Sequence, residues 1–251
     1  MLIEKQLFGT VDKVARSIER LRQYEPPEGF YLAFSGGKDS CVIKALADMA
    51  GVKYDAHYSV TTIDPPELIY FMREHHPDVI WDRPRRAFLH QLPITGFPLR
   101  QARWCCAMYK EQGGHGRVCV LGIRAEESSS RSNRESYGEY NGKIYFYPIY
   151  EWTELDVWDF IESEQLPYCE LYEQGFERLG CIFCPMKSNG RRQMEAKRWP
   201  GFERAFRAAF RRLYADRKAR GKTSVDRWAD GDEMFDWWIG LIGDMARGAR
   251  G

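Results

Sequence analysis

Residues 30–46 read FYLAFSGGKDSCVIKAL, with the polar hexapeptide Ser35-Gly36-Gly37-Lys38-Asp39-Ser40 set between two apolar runs. Phe30 to Phe34 has the unbroken hydrophobicity of a buried strand, and Cys41 to Leu46 continues at helical spacing, which places the hexapeptide on a strand-to-helix turn. Such a turn presents backbone N–H groups at a helix N-terminus. Gly36 and Gly37 let the chain approach an anion closely, Lys38 adds a positive charge, and Ser35 and Ser40 add hydroxyl donors, so the turn is built to take phosphate. The glycines are adjacent, and no Gly-Lys-Ser/Thr ending follows, so this is not the Walker loop.

Working outward, Pro26-Pro27-Glu28-Gly29 is a turn leading into the first strand, and the preceding residues carry the charge pattern of an amphipathic helix over 1–25. After the loop the pattern predicts a helix to Met49, a strand over Tyr54 to Val60, a helix from Glu67 to His75 and a strand at Asp78 to Trp81. Val118 to Ile123 reads as a later strand, residues 125–143 as a polar, Ser-rich mobile loop, and Glu154 to Glu164 as a helix. Strands alternating with helices imply right-handed crossovers and a Rossmann-like parallel sheet, with a ligand at the strand C-terminal ends. The α/β part is expected over 26–165. From 166 to 251 aromatic residues, Cys and Arg replace the alternation, which predicts a helical, cysteine-containing C-terminal part.

The chain has 251 residues, a formal charge of +1 and seven cysteines. The near-zero charge argues against a uniformly basic nucleic-acid coat, and no apolar run is long enough to span a membrane, so a cytoplasmic protein is expected. An odd cysteine count without a secretion signal favours metal or redox chemistry over a disulfide framework. Cys105-Cys106 and Cys181-Ile182-Phe183-Cys184 form two pairs about 75 residues apart. Four thiolates suit an iron–sulfur cluster or zinc, and the adjacent pair, whose side chains diverge, suits cluster corners better. Cys41, Cys119 and Cys169 read as packed small hydrophobes.

SGGKDS, together with GIRAEESSSR, YPIYEWTELDVWDFI, LPYCELYEQGFERLGCIFCP and the WCC of Trp104 to Cys106, resembles the phosphoadenosine-phosphosulfate reductase family over roughly residues 28–190. The resemblance implies an adenine nucleotide α-hydrolase-like fold, and the CC plus CxxC layout implies a [4Fe-4S] cluster. The loop departs from the sulfonucleotide reductases and looks like the ATP-pyrophosphatase loop, which implies ATP with Mg2+, Asp39 being a metal partner. A reductase nucleophile is also missing, since no cysteine follows Cys184. By the same resemblance Arg124, Ser128 and Arg131 hold phosphate or the far end of the nucleotide, although Glu126 and Glu127 could instead pair with Arg131 and Arg134. Asp64 would lie near the adenosine, or serve as a turn carboxylate before two prolines. Lys110 resembles a family lysine beside the cluster; a solvated helix lysine is the alternative.

The reading that follows is an ATP-dependent, AMP- and pyrophosphate-forming sulfurtransferase with Lys38, Asp39, Lys110 and Arg124 in catalysis. The loop and the cluster are expected at one mouth. A sulfonucleotide reductase using an external thiol, or a non-catalytic nucleotide- or nucleic-acid-binding protein with a structural cluster, are the alternatives. The acceptor would be a nucleic acid or a small molecule, and the sulfur donor a protein. His75-His76 ends a helix, where both would complement the dipole. Between Arg191 and Lys222 twelve Lys or Arg face three acids, with Trp199, Phe202, Phe206, Phe210 and Tyr214 interleaved, which reads as an amphipathic helix with a basic face or as a phosphate-tracking surface. Met234 to Leu241 is apolar enough to pack on that helix or on a second subunit, as in a homodimer.

Overall fold

The computed structural model describes residues 2–6 and 9–243, within a chain that divides into two interleaved compact units. The first takes Met1–Val60, Pro66–Arg83 and Gln112–Gly180, and the second takes Thr61–Pro65, Pro84–Glu111 and Cys181–Gly251. This differs from the consecutive blocks expected, with a boundary near 165. Composition along a chain cannot reveal that residues 84–111 share a core with residues more than a hundred positions later.

In the first unit, strands β1 (Ile3–Gln6) and β2 (Gly9–Asp12) form an antiparallel hairpin, so the helix expected from residue 1 begins only at Lys13. The reason is local. The Asp12 carboxylate accepts from the N–H groups of Val14 and Ala15 at 2.9 and 3.0 Å and caps α1 (Lys13–Gln23). Residues 1, 7 and 8 of the expected helix lie outside the described residues.

The six-stranded sheet consists of β3 (Phe30–Phe34), β4 (Tyr54–Ser59), β5 (Ile80–Asp82), β6 (Val118–Val120), β7 (Tyr137–Tyr140) and β8 (Lys143–Phe146), in the order β5-β4-β3-β6-β8-β7. All pairs are parallel except β7 with β8. Strand order grows outward from β3 through β4 to β5 and then restarts at β6 on the other side of β3. The crevice between the ends of β3 and β6 is therefore the topological switch point, where this class of sheet takes its ligand. Helix α2 (Lys38–Ala50) leaves β3 through the hexapeptide turn, and α3 (Pro66–His75) links β4 to β5.

Residues 125–143, expected as a mobile loop, contain a 3-10 turn at Ala125–Glu127, α6 (Ser129–Ser132) and the edge strand β7. An edge strand half open to solvent can stay polar and so reads as loop. Tyr137 nevertheless anchors it by stacking on Tyr24 at 4.4 Å. Helix α7 (Glu154–Ser163) begins with Thr153 and Asp156 capping each other, and Lys13 reaches the fully buried Asp156 at 2.5 Å.

His76, expected to complement a helix dipole, is instead buried against Phe34 and Phe71, with Nε2 3.7 Å from the Cys41 thiol and no partner for Nδ1. Burial first, then the positive charge of Lys44, lowers it from 6.5 to about 4, with Asp78 and Asp48 opposing and His75 adding to the shift. His76 is therefore neutral at neutral pH. Because the unfolded chain takes up this proton before the folded one, His76 supports full stability above about pH 6.5 and loses up to about 3 kcal/mol as pH falls toward 4. In His76→Leu the urea midpoint should lose that part of its decline between pH 6.5 and 4; an unaltered slope would remove His76 as its source.

The second unit contains α4 (Phe88–Thr95), α5 (Trp104–Tyr109), α8 (Asn189–Arg198), α9 (Pro200–Ala219) and α10 (Gly231–Ile239). Its core is aromatic: Phe88, Phe206, Phe210, Phe235 and Trp238 are buried, and Phe97 stacks on Phe210 at 5.5 Å. Three of the six basic residues of α9 meet acids. Arg207 meets Glu203 at 2.9 Å and Asp236 at 2.7 Å, Arg211 meets Asp232, and Lys218 meets Asp226. The helix is amphipathic, as one of the two expected accounts has it, with Phe206, Phe210 and Leu213 on its buried face.

Candidate functional site

The hexapeptide turn is shaped by two close approaches. Gly36 has φ +71°, and a Cβ there would lie 2.7 Å from Met72 and 2.8 Å from Leu68, so only glycine fits. Gly122, in the turn after β6, passes so near α2 that its Cβ would lie 2.9 Å from the Asp39 backbone. Ser40 ties the turn together, its hydroxyl donating to the Gly37 carbonyl at 2.8 Å and accepting from the Ser35 N–H at 3.2 Å. Gly37 is the N-cap of α2 and brings no side-chain acceptor; within the turn the Ser40 N–H bonds the Gly37 carbonyl at 2.9 Å.

Two buried cations converge here. Lys38 is only 2 % exposed and Arg124 only 3 %. The Lys38 ammonium reaches Glu154 at 3.3 Å and Asp39 at 3.7 Å, donates to the Glu177 carbonyl at 3.2 Å, and lies 5.4 Å from the Tyr172 ring centroid. Arg124 donates from Nε to Asp39 at 2.7 Å, reaches Glu154 at 3.3 Å, and pairs with Glu126. The Tyr172 hydroxyl accepts the Lys38 backbone N–H at 2.9 Å. Burial works against ionisation of Glu154, but Lys38 and Arg124 outweigh it and hold its carboxyl below the usual range. Three carboxylates, Asp39, Glu126 and Glu154, thus face two cations, one negative charge in excess, and Glu154, with its side chain 48 % exposed, is the most displaceable of them.

Cys105, Cys106, Cys181 and Cys184 line one cavity of the second unit, with apolar walls from Ile63, Phe88, Phe183 and Trp238. All seven cysteines are free of disulfides. Two non-glycine residues at this cavity's segments have positive φ, Thr62 at +66° and Phe183 at +57°, the kind of strain that collects at functional sites. The Ile182 N–H bonds the Ile63 carbonyl at 2.8 Å, so the CxxC turn is fixed to the 61–65 segment. A hydrogen bond from Cys105, overcoming burial and helped by Lys110 and Arg103, lowers the Cys106 thiol, while burial pushes Cys181 up to about 11 against the pull of Lys110. Lys110 is held above its ordinary value, chiefly by Cys181. Among the described residues no three His, Cys, Asp or Glu side chains gather as ligands of a single metal ion.

The other expected residues divide. Ser128 is exposed, and Arg131 pairs with Glu127, which Arg178 also reaches at 3.3 Å, so the loop-pairing alternative describes Arg131. Asp64, expected beside an adenosine, is buried in the unit that carries the cysteines, accepts from Thr61 at 2.6 Å, and acts electrostatically on Cys181 and Lys110. Cys41, Cys119 and Cys169 are buried, and burial pushes the Cys41 thiol up to about 12, which makes it inert. Sequence reasoning missed Glu154 and Tyr172. Their motifs, EWTELDVW and LPYCELY, were in view, but nothing in a linear pattern links them to Lys38.

A family model, the phosphoadenosine phosphosulfate reductase domain, matches residues 29–187. An uncharacterized protein of Methanocaldococcus jannaschii is 31 % identical over 187 residues, which cover 67 % of this chain and 38 % of that protein. A second from the same organism is 29 % identical, covering 62 % and 41 %, so the chain spans about two fifths of these relatives. The adenosine 5′-phosphosulfate reductase of Oceanobacillus iheyensis is 33 % identical over 169 residues, covering 63 % of this chain and 69 % of that enzyme. In fold, the phosphoadenylyl-sulfate reductase of Candida auris, solved as a phosphate complex, superposes with a TM-score of 0.53 at 16 % identity, covering 67 % of this chain and 88 % of that one.

Proposed function

This chain belongs to the phosphoadenosine phosphosulfate reductase family and has its adenine nucleotide α-hydrolase-like fold, and from that premise we propose that it is an ATP-cleaving, sulfur-transferring member. An acceptor oxygen would bond to the α-phosphorus of ATP, the bond to the bridging oxygen would break, and pyrophosphate would leave with the electron pair. Sulfur at the sulfide level would then bond to the acceptor carbon as AMP departs. The observation that carries the reading is the complete Ser35-to-Ser40 loop, with buried Lys38 in the first turn of α2 at the switch point.

In this reading the loop N–H groups and Lys38 offset the charge that grows on the departing pyrophosphate, and Arg124 holds Asp39 and steadies the turn. Asp39, a carboxylate of the loop itself, would serve a phosphate-bound Mg2+. Cys105, Cys106, Cys181 and Cys184 would hold a [4Fe-4S] cluster, which supplies iron able to bind sulfur or pass electrons. Lys110 would offset the thiolate charge there. A second reading, reduction of a sulfonucleotide by an external thiol, is favoured by the similarity to an adenosine 5′-phosphosulfate reductase.

Thermal shift and product analysis separate the two. ATP should raise the melting temperature more than adenosine 5′-phosphosulfate or its 3′-phosphate does at equal concentration, and pyrophosphate should be released from ATP when an acceptor is supplied. Sulfite release from a sulfonucleotide with thiol, without pyrophosphate from ATP, would establish the second reading in its place. Glu154 supplies a further check. Because it sits on both cations, Glu154→Gln should strengthen pyrophosphate binding severalfold, on the order of 1 kcal/mol, as read by calorimetry. Weaker binding would mean that Glu154 helps to hold the ligand.

A further inference from the structure

A second cleft, of about 500 Å³, opens in the cysteine-bearing unit and is lined by Arg100, Lys187, Ser188, Asn189, Arg192 and Trp237, among others. Pro185 and Trp238 belong to its wall and also to the wall of the thiol cavity, so the two hollows share a partition. The cleft is positive. Helix α8, ten residues long, begins here, with Ser188 as its N-cap. Lys187 is committed to the fully buried Glu195 and to the Cys181 carbonyl at 2.9 Å, so those two charges cancel. Glu195 also acts electrostatically on Arg192, but among the described residues neither arginine forms an ion pair. Arg100 donates to the Met186 carbonyl at 3.1 Å. Arg192, 8 % exposed, donates to the Trp238 carbonyl and to the Asn189 side-chain oxygen at 2.6 Å, and its Nε has no partner.

A guanidinium buried against neutral acceptors, with one donor unused, is short of an anion. The carbonyl end of α10, which would repel one, is already occupied, because Arg192 takes the Trp238 oxygen and Gln193 donates to the Gly240 oxygen at 2.7 Å. The fork of an arginine, a helix N-terminus and an aromatic wall together suit a phosphate ester carried on a planar base. We propose that this cleft anchors the phosphate of a nucleoside-phosphate acceptor, free or within a polynucleotide, next to the thiol cavity. That the anchored molecule is the acceptor rests on the sulfur-transfer reading; that the cleft binds a nucleoside phosphate does not.

The test uses the full chain, purified anaerobically, with uridine 5′-monophosphate and an eight-residue oligouridylate as probes, since neither carries adenine for the ATP loop. Binding is read by tryptophan fluorescence and by anisotropy of the labelled oligomer. Arg100→Glu and Arg192→Lys should each weaken binding roughly tenfold or more while leaving ATP binding unchanged, and Arg100→Glu should reduce the salt slope of oligomer binding by about one. Equal affinity for the two probes identifies a free nucleotide as the natural source, and markedly tighter oligomer binding identifies a polynucleotide. Failure of both probes to bind, or binding indifferent to both substitutions, overturns the proposal. So does an Arg192→Lys variant that alters only visible absorbance, since Arg192 would then be the counter-charge of the thiol centre. Because ATP-dependent pyrophosphate release is measured separately, loss of this site and loss of the sulfur-transfer reading are distinguishable.

Discussion

Lys38→Ala should reduce ATP cleavage by about 10²–10³-fold, the usual cost of removing one preorganised charge or donor from a developing anion. The side chain is nearly fully buried, yet its removal should not unfold the protein. Asp39 and Glu154 keep Arg124 as a common partner, and the turn is held by Ser40 and by the close packing of Gly36 and Gly122. The loss should therefore appear in pyrophosphate release and in calorimetric ATP affinity, with the melting temperature little changed. Asp39→Ala should act in the same direction, because Arg124 loses its 2.7 Å partner and any phosphate-bound Mg2+ loses a nearby carboxylate. Normal turnover in both variants would mean that ATP cleavage does not use this loop.

Serine at any of positions 105, 106, 181 or 184 should abolish the broad visible absorbance of the anaerobically purified protein, with iron and acid-labile sulfide falling together. The four thiols line one apolar cavity, and a serine hydroxyl is a far poorer ligand than thiolate for iron–sulfur centres. Because residues 105–106 and 181–184 come from separate stretches of the second unit, loss of the centre should also lower that unit's resistance to proteolysis. Cys119→Ser should leave colour, iron and sulfide intact, since that thiol lies buried in β6. Zinc without sulfide in the wild-type protein would make the site a structural clasp and remove iron chemistry from the proposed reaction, leaving ATP cleavage as it stands.

The parts of the fold that were legible in the sequence are those whose signals are local. The strand, the glycine pair and the helix of residues 30–46 follow one another without a gap, so periodicity and turn chemistry identify them together. The same holds for β4, α3 and α7, each bounded by turn residues. What could not be read depends on partners far along the chain. Arg124 meets Asp39 across 85 positions, and Tyr172 meets Lys38 across 134, while neither arginine nor tyrosine carries any mark of that pairing. Asp64 shows the converse. Its neighbourhood TTIDPPEL gave no sign that the chain gathers Thr61–Pro65 into the unit that holds the thiols. The N-terminal hairpin and β7 escaped because short, polar, two-stranded or edge pairings bury too little to impose alternation.

The threading of the chain through two units has a consequence for how the protein is made. Ribosomal synthesis delivers Thr61–Pro65 and then Pro84–Glu111 long before Cys181 exists, so the earlier thiol pair must wait, reduced and without its partners, while the sheet around β3 forms. If the four cysteines hold a cluster as proposed, a metal offered during that interval would meet half a ligand set. The four-thiol cavity cannot be complete until translation has passed residue 184, and a fragment cut at the composition change near 165 would have neither unit whole. The order of residues along the messenger thus separates in time the completion of the two thiol pairs, the later pair following the last strand of the sheet.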